Sequence, residues 1–387
     1  MIKKKIRNSS ASKKYKELII VYLSDSKASE TNIPYRLTKI ISAEFFDYKI
    51  IFKELNLSNI VLILFIIIKS RIFNKTILIH SHHLKSLILN IFFKLIANIF
   101  SFKLITYHSF LCELKRFTYM KLMIFRISKN FVDEYICVSN ELKSSWGSFL
   151  KRNIHFIKIG ISKKDRDMIH TKSIIQNKLI SNLKSKDKCF NVTLVGRLEE
   201  VKRPLFLFNI LDKISLKKNQ KIKVSFGGDG NMRSKLIEKI NEFNFSKEKN
   251  LNINIEYLGF IDRIQLLDLI SKTNLYINTS YSEGCLVTAM EFLSNPLCNI
   301  ILPDVKSIKD IYKCKRSFFY PINDENYLLN LFQYNLDNFY NTGKKESCFI
   351  YPINFEDFIL ENSSKYLFDL YLNSALKFKK KISRKSS

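Results

Sequence analysis

The chain has 387 residues, 46 % of them hydrophobic, enough for two ordinary domains that each bury a core. Its 64 Lys+Arg against 35 Asp+Glu give a formal charge of +29, which asks for an anionic partner or surface. No zinc-ligand spacing and no RNA-binding signature accompanies that charge, so nucleic acid is not the expected partner. Seven scattered cysteines without a C-x-x-C pair speak against a disulfide framework or structural zinc, and for a reducing, cytoplasmic compartment.

The start, "MIKKKIRNSSASKKYKE", is basic, and no secretory apolar region follows it. "ELIIVYLS" then reads as a short strand, followed by the polar loop "DSKASETNIPYR" and a helix to about Ala43. "YKIIFKEL" is a second strand. "NIVLILFIIIKSRI" is helical or buried, and its longest apolar run, Ile60 to Ile68, falls well short of the roughly 20 residues that span a bilayer. "KTILIHSHH" is a third strand, ending at histidines. In the helix over Ser86 to Phe102, Asn90, Lys94 and Asn98 recur every four positions as one narrow polar stripe. That pattern fits a helix buried on most sides, or one whose apolar face dips into a membrane surface. "FKLITYHSF", "EYICVSN" and "IHFIKIGIS" complete a first series of strands alternating with helices, the pattern of a parallel sheet.

The lysine-rich segment from about Lys163 to Lys188 reads as a linker plus one helix. A second series follows, with strands "FNVTLVGRL", "KIKVSFGGDG", "INIEYLGF", "NLYINTS" and "CNIILPD". The end, "FEDFILENSSKYLFDLYLNSALKF", is a long amphipathic helix before a basic tail that includes Lys377, Lys379, Lys380 and Lys381. Basic residues at both ends favour an anionic membrane surface as partner; a solvated tail is the plainer reading.

The first 146 residues hold no glycine, which excludes a dinucleotide fingerprint there. In the second half, glycines such as Gly196, Gly227, Gly228, Gly259 and Gly284 stand at strand ends, where open parallel sheets bind ligands. Glu283 and Glu291 lie eight positions apart in "TSYSEGCLVTAMEFL", around a probable helix start near Cys285. Free N–H groups at such a start suit a diphosphate, and eight helical residues span about 12 Å, the scale of an extended nucleotide sugar. A capping glutamate and an exposed helical glutamate would give the same letters. Arg197 and Lys202, in "LVGRLEEVKRPLF", put two cations at a strand-to-helix turn, apt for a leaving diphosphate or for plain surface charge. "FGGDGNMRSKL" lacks the lysine and Ser/Thr of a P-loop.

Taken in order, "GRLEEVKRP", "FGGDGNMRSKL", "YLGFIDRIQLLDLISKTNLYINTSYSEGCLVTAMEFLSNP" and "YPINDENYLLNL" resemble the C-terminal half of GT-B glycosyltransferases, and more narrowly retaining family 4, the glycosyl transferases group 1. "ILIHSHH", "ITYHSF", "ICVSNELK" and "IKIGIS" carry a weaker likeness through the first half. The resemblance implies two Rossmann-like domains with parallel sheets facing a cleft. Residues 1–165 would bind the acceptor and 166–355 the nucleotide sugar, with 356–387 a crossover helix and basic tail. It implies that Arg197 and Lys202 hold the donor diphosphate, that Glu283 meets the donor sugar and Glu291 the ribose, and that backbone N–H groups along Gly284, Cys285, Leu286 and Val287 add phosphate contacts. His108 matches a position that reaches the donor sugar. A nucleotide-diphosphate sugar is then the donor, a glycan or lipid-linked molecule the acceptor, and no metal or cofactor is expected.

The chain departs from the family's pattern in places. The loop after the first strand lacks the usual glycines, "KIG" replaces Pro-Asn-Gly, Asn295 rather than glycine precedes Pro296, and Leu286 stands where a second glycine is common. These changes bear on the acceptor more than on the donor. A nucleotide-sugar epimerase of the same fold and a non-catalytic nucleotide-sugar or partner-binding module are the rival readings. His80, His82 and His83 read as cleft-lining or buried histidines rather than metal ligands, and "DRD", Asp165 to Asp167, lies in the linker rather than at a strand end.

Overall fold

The computed structural model describes residues 18–25, 33–45, 48–110, 113–183, 187–245, 252–283, 286–341 and 358–383. The chain separates into two compact units, Met1–Ile159 with Asp357–Ser387, and Gly160–Glu356. Each contains one six-stranded parallel sheet.

The first unit runs β1 (Leu18–Ser24), α1 (Ile33–Glu44), β2 (Lys49–Glu54), α2 (Leu57–Ile72), β3 (Thr76–His82), α3 (Leu84–Ile99), β4 (Leu104–Phe110), α4 (Tyr119–Ser128), β5 (Glu134–Cys137), α5 (Asn140–Leu150) and β6 (Ile154–Phe156). The strand order is β2-β1-β3-β4-β5-β6. β1, β3 and β4 are buried at every residue, as a parallel sheet covered on both faces requires. On one face, Ile63 and Ile67 of α2 and Phe93 and Ala97 of α3 pack on Ile19, Val21, Leu23, Ile77 and Ile79.

Two of the three stripe residues on α3 turn inward, while Asn98 at the helix end is exposed. Asn90 and Lys94 are buried. Asn90 donates to Ser81 Oγ (3.0 Å) and to the Tyr107 carbonyl (2.9 Å). Lys94 donates to the Leu104 carbonyl (2.8 Å) and pairs with Asp133 (2.6 Å). Ile88, Phe92, Leu95 and Ile99 are exposed instead. The reading of a helix buried on most sides is therefore corrected. Periodicity gives the angle between two faces, and buried acceptors at Ser81, Tyr107, Leu104 and Asp133 decide which face turns inward.

The second unit runs α6 (Lys163–Ser181), β7 (Phe190–Val195), α7 (Phe208–Leu211), β8 (Ile222–Gly227), α8 (Arg233–Phe245), β9 (Ile253–Tyr257), α9 (Arg263–Lys272), β10 (Leu275–Ile277), α10 (Val287–Leu293), β11 (Asn299–Pro303), α11 (Lys306–Tyr312), β12 (Ser317–Tyr320) and α12 (Glu325–Asn341). Its order is β12-β11-β10-β7-β8-β9. The segment read as linker plus helix is mostly α6. Ser162 caps it by accepting from the Asp165 N–H, and the helix packs on α9. The last helix, α13 (Leu360–Ser383), returns to the first unit. It covers the sheet face opposite α2 and α3, where Tyr371 donates to Tyr22 (2.8 Å) and Tyr107 meets Ser374 (2.6 Å).

Candidate functional site

Sheet order reverses once in the second unit. β7 pairs β8 on one side and β10 on the other, so the chain leaves these neighbouring strands in opposite directions. Such a switch point opens a crevice at the carboxyl ends of the strands. The turns after β7 and β10 meet there. Thr279 Oγ1 donates to the carbonyls of Lys202 (2.8 Å) and Arg203 (2.9 Å), and the Tyr281 N–H donates to the Val201 carbonyl (2.9 Å). Arg203 returns a bond from Nε to the Thr279 carbonyl (2.7 Å), its guanidinium stacked 4.1 Å from the rings of both Phe206 and Tyr281.

This clasp brings Lys202 and Glu283, 81 positions apart in sequence, to 2.5 Å between Nζ and Oε1. The same oxygen accepts from Ser280 Oγ (2.7 Å) and Asn278 Nδ2 (3.3 Å), and the Glu283 side chain is 7 % exposed. A carboxylate so buried is tolerable because a cation and two neutral donors surround it. Ser307 of α11 donates to the Glu283 carbonyl and Tyr312 to the Leu286 carbonyl, holding the chain on both sides of Gly284 and Cys285, which lie outside the described residues.

Arg197 stands on the turn after β7, open to solvent and paired with Glu199 (2.7 Å). That turn is stitched to the next one. The Leu198 N–H donates to the Asp229 carbonyl and the Met232 N–H to the Leu198 carbonyl, each at 2.9 Å. Gly228 (φ +129°) lies so close to Gly196 that an added Cβ would stand 1.8 Å from its carbonyl oxygen. The glycines after β8 therefore serve backbone packing that positions the Arg197 turn.

α10 starts at Val287, two residues later than the sequence suggests, and has seven residues. Leu286 and Val287 bury their side chains, and no side chain caps the helix start. Glu291 points inward and pairs with Arg263 (2.6 Å), which also binds Asp165 (2.8 Å). Burial alone would lower the Arg263 pKa, but the two carboxylates hold it above its ordinary value. The trio joins the starts of α6 and α9 to α10. Arg263 was missed as a site neighbour although it stands inside the quoted "YLGFIDRIQ", and Asp165 was set aside with "DRD". Nothing in local sequence signals that two carboxylates 126 positions apart share one cation.

His108 belongs to the first unit. Its ring is 1 % exposed, lies among Phe110, Phe125 and Tyr135, and meets Ser81 Oγ through Nδ1 (3.0 Å). Burial, then neighbouring histidines, push its pKa well below the usual value, so it is neutral at pH 7. His80 and His82 stack at 4.4 Å nearby. Among the described residues no group of three or more His, Cys, Asp or Glu is placed to hold a metal ion. Cys137, Cys189, Cys298 and Cys314 are free thiols.

Residues 175–329 match the family model for glycosyl transferases group 1. The matched segment includes Lys202, Glu283, Arg263 and Glu291. No curated protein matches the chain in sequence. Among solved structures, the chain is similar to Alr3699/HepE of Anabaena in complex with UDP and glucose, at 12 % identity and TM-score 0.68, covering 91 % of this chain and 99 % of that one. It is also similar to a glycosyltransferase of Rickettsia africae (15 %, TM-score 0.69, 94 % and 100 % covered). A third likeness is to a sucrose-phosphate synthase of Thermosynechococcus elongatus (14 %, TM-score 0.64, 91 % and 98 % covered). At these identities the likeness shows the fold, which is the two-domain α/β GT-B fold.

Proposed function

We propose that the chain is a retaining glycosyltransferase of family 4. It moves a sugar from a nucleoside-diphosphate donor to a glycan or lipid-linked acceptor in bacterial cell-surface polysaccharide synthesis. The reading rests on the meeting of Lys202 and Glu283 at the switch point of the group 1 segment. The UDP, UDP-glucose and glucose bound by the Anabaena protein support a nucleotide sugar as the donor class.

In this reading the acceptor oxygen approaches the anomeric carbon from the face that the diphosphate leaves. The bond from carbon to diphosphate oxygen breaks, the bond to the acceptor forms, and the leaving phosphate oxygen takes the acceptor proton. Lys202 and Arg197 offset the charge growing on the diphosphate. N–H groups from Gly284 to Val287 add donors to it. Glu283 meets the sugar as a stabiliser, held by Lys202, Ser280 and Asn278. Glu291 meets the ribose, its carboxylate oriented by Arg263. His108, which the resemblance would bring to the donor sugar, has its ring buried among Phe110, Phe125 and Tyr135. The expected place is cytoplasmic, peripheral on the inner face of the plasma membrane, as scattered thiols and basic ends suggest.

A panel of nucleotide sugars screened by thermal shift should raise the melting temperature for the true donor, through binding to the native state. With that donor, wild type should release nucleoside diphosphate in the presence of acceptor extract, and Glu283→Ala should lose about 10²-fold or more of turnover. Product released without any acceptor would favour the epimerase. Donor binding without turnover in any extract would sink the transferase reading and leave a binding module.

A further inference from the structure

The outer surface of the first unit is apolar where water should favour polar residues. On α2, Leu57, Val61, Phe65, Ile68 and Ile72 are all exposed, Leu57 and Ile72 by 77 % and 76 %. Their spacing of four, four, three and four residues makes one stripe along the helix. On α3, Ile88, Phe92, Leu95 and Ile99 form a second stripe. On α4, Met120, Met123 and Ile127 form a third. α2 and α3 pack on the same sheet face, and Arg71 at the end of α2 donates to the Phe100 carbonyl beyond α3 (3.0 Å). α4 packs against α3. The stripes thus lie side by side on one surface, larger than the scattered apolar residues of an ordinary soluble face.

This exposure is not a by-product of composition. α3 possesses polar residues that could face water, and the fold spends Asn90 and Lys94 inside. Charge around the stripes is one-sided. From residue 55 to residue 132 the chain has eleven Lys+Arg and a single acid, Glu113. Lys69, Arg71, Lys121 and Arg126 are exposed beside the stripes, and Lys69 leans over the rings of Phe65 and Phe73. No helix among the described residues is long and apolar enough to cross a membrane.

We propose that α2, α3 and α4 form a docking face that lies in the surface of an anionic lipid bilayer, with the three stripes in the acyl boundary and the flanking cations at the headgroups. A second copy of the chain is a poorer occupant, because two such faces would bring Lys69, Arg71, Lys121 and Arg126 against their own copies with no exposed acid among the stripes to offset them. The inference concerns the first unit alone and stands whether or not the second transfers a sugar.

The test is sedimentation of the full chain with vesicles of phosphatidylglycerol and phosphatidylcholine, without nucleotide. Wild type should pellet with mixed vesicles at low salt, several-fold less at high salt, and less again with phosphatidylcholine alone. The combined variant Phe65→Glu, Phe92→Glu, Met120→Glu should lose at least tenfold in partitioning, with an unchanged thermal melt. Should that variant fold poorly, Lys121→Glu with Arg126→Glu should cut binding at least threefold. Wild type left in the supernatant, or variants that bind like wild type, would overturn the proposal. So would a wild-type dimer that the combined variant turns into monomer while vesicles take up neither.

Discussion

The two units share one plan, a six-stranded parallel sheet with a single reversal of strand order, yet they finish that reversal in opposite ways. In the second unit the turns beyond β7 and β10 carry Lys202, Arg203 and Glu283, tied to one another by hydrogen bonds. In the first, the strands flanking the reversal carry Tyr22, His80 and His82, all buried, with Tyr371 of α13 bonded to Tyr22 and His80. One switch point gathers paired charge, while at the other the strands bury neutral rings and the carboxylate just past β1, Asp25, accepts from the N–H groups of Lys85 and Ser86. Topology supplies a place for a site, and the side chains delivered there decide whether it becomes one.

The sharpest way to break this contrast is at Arg263. In the second unit, charge is buried because it is paired, with Arg263 between Glu291 and Asp165 at 2.6 and 2.8 Å. Arg263→Ala removes the cation both carboxylates share, and removal of one partner from a buried ionic group costs about 3–5 kcal/mol. Urea denaturation should show the second unit unfolding at much lower denaturant while the first keeps its transition. Glu291→Gln leaves an oxygen to accept from Arg263 and should cost far less, yet raise the KM for the nucleotide sugar. If Arg263→Ala unfolds like wild type, the trio does not hold α6, α9 and α10 together.

The first unit should fail to acid instead. His80 has its pKa lowered to about 3 by burial, and His82 and His108 are lowered by burial and then by neighbouring histidines. All three of these buried histidines are in the first unit. Below about pH 6.5 the unfolded chain takes up protons that the folded unit refuses. Stability is therefore full above that pH and falls as pH drops toward the folded pKa. For His80 alone the loss is about 2 kcal/mol by pH 5. Denaturation at pH 7.5 and pH 5 should weaken the first unit more than the second, and His80→Gln should blunt the difference. Equal acid sensitivity of the two units would contradict the neutral state of the buried histidines in the first.

Much of this was legible before any coordinates. Apolar runs alternating with helical periods gave both sheets, because fully buried parallel strands must be apolar on both faces. The motifs that resemble glycosyl transferases group 1 point to Arg197, Lys202, Glu283 and Glu291, of which the structure pairs Lys202 with Glu283 and joins Glu291 to Arg263. Partners could not be read in the same way. Which acid meets Arg263, and which way Asn90 and Lys94 turn, depends on groups 9 to 98 positions away, and periodicity carries no such information. Segment 163–188 reads as a linker plus one helix because its residues are mostly polar, and the helix takes up Lys163–Ser181, capped by Ser162.

The smallest effect on stability should come from Arg197, and it tests the donor site most cleanly. Its side chain is 69 % exposed, and its pairing with Glu199 lies in solvent, where such pairs contribute about 0–1 kcal/mol. Arg197→Ala should therefore leave both units' melting unchanged. Lys202→Ala differs, because it withdraws the cation from Glu283 inside the crevice and should lower stability and turnover together. An exposed guanidinium on a turn fixed by Gly196 and Gly228 can reach a diphosphate without breaking the fold. Its removal should raise the donor KM about tenfold, close to 1.4 kcal/mol of binding, at unchanged melting temperature. Should Arg197→Ala alter neither KM nor melting, the positive side of the crevice rests on Lys202 and on backbone N–H groups, and the charged character of this switch point narrows to one lysine.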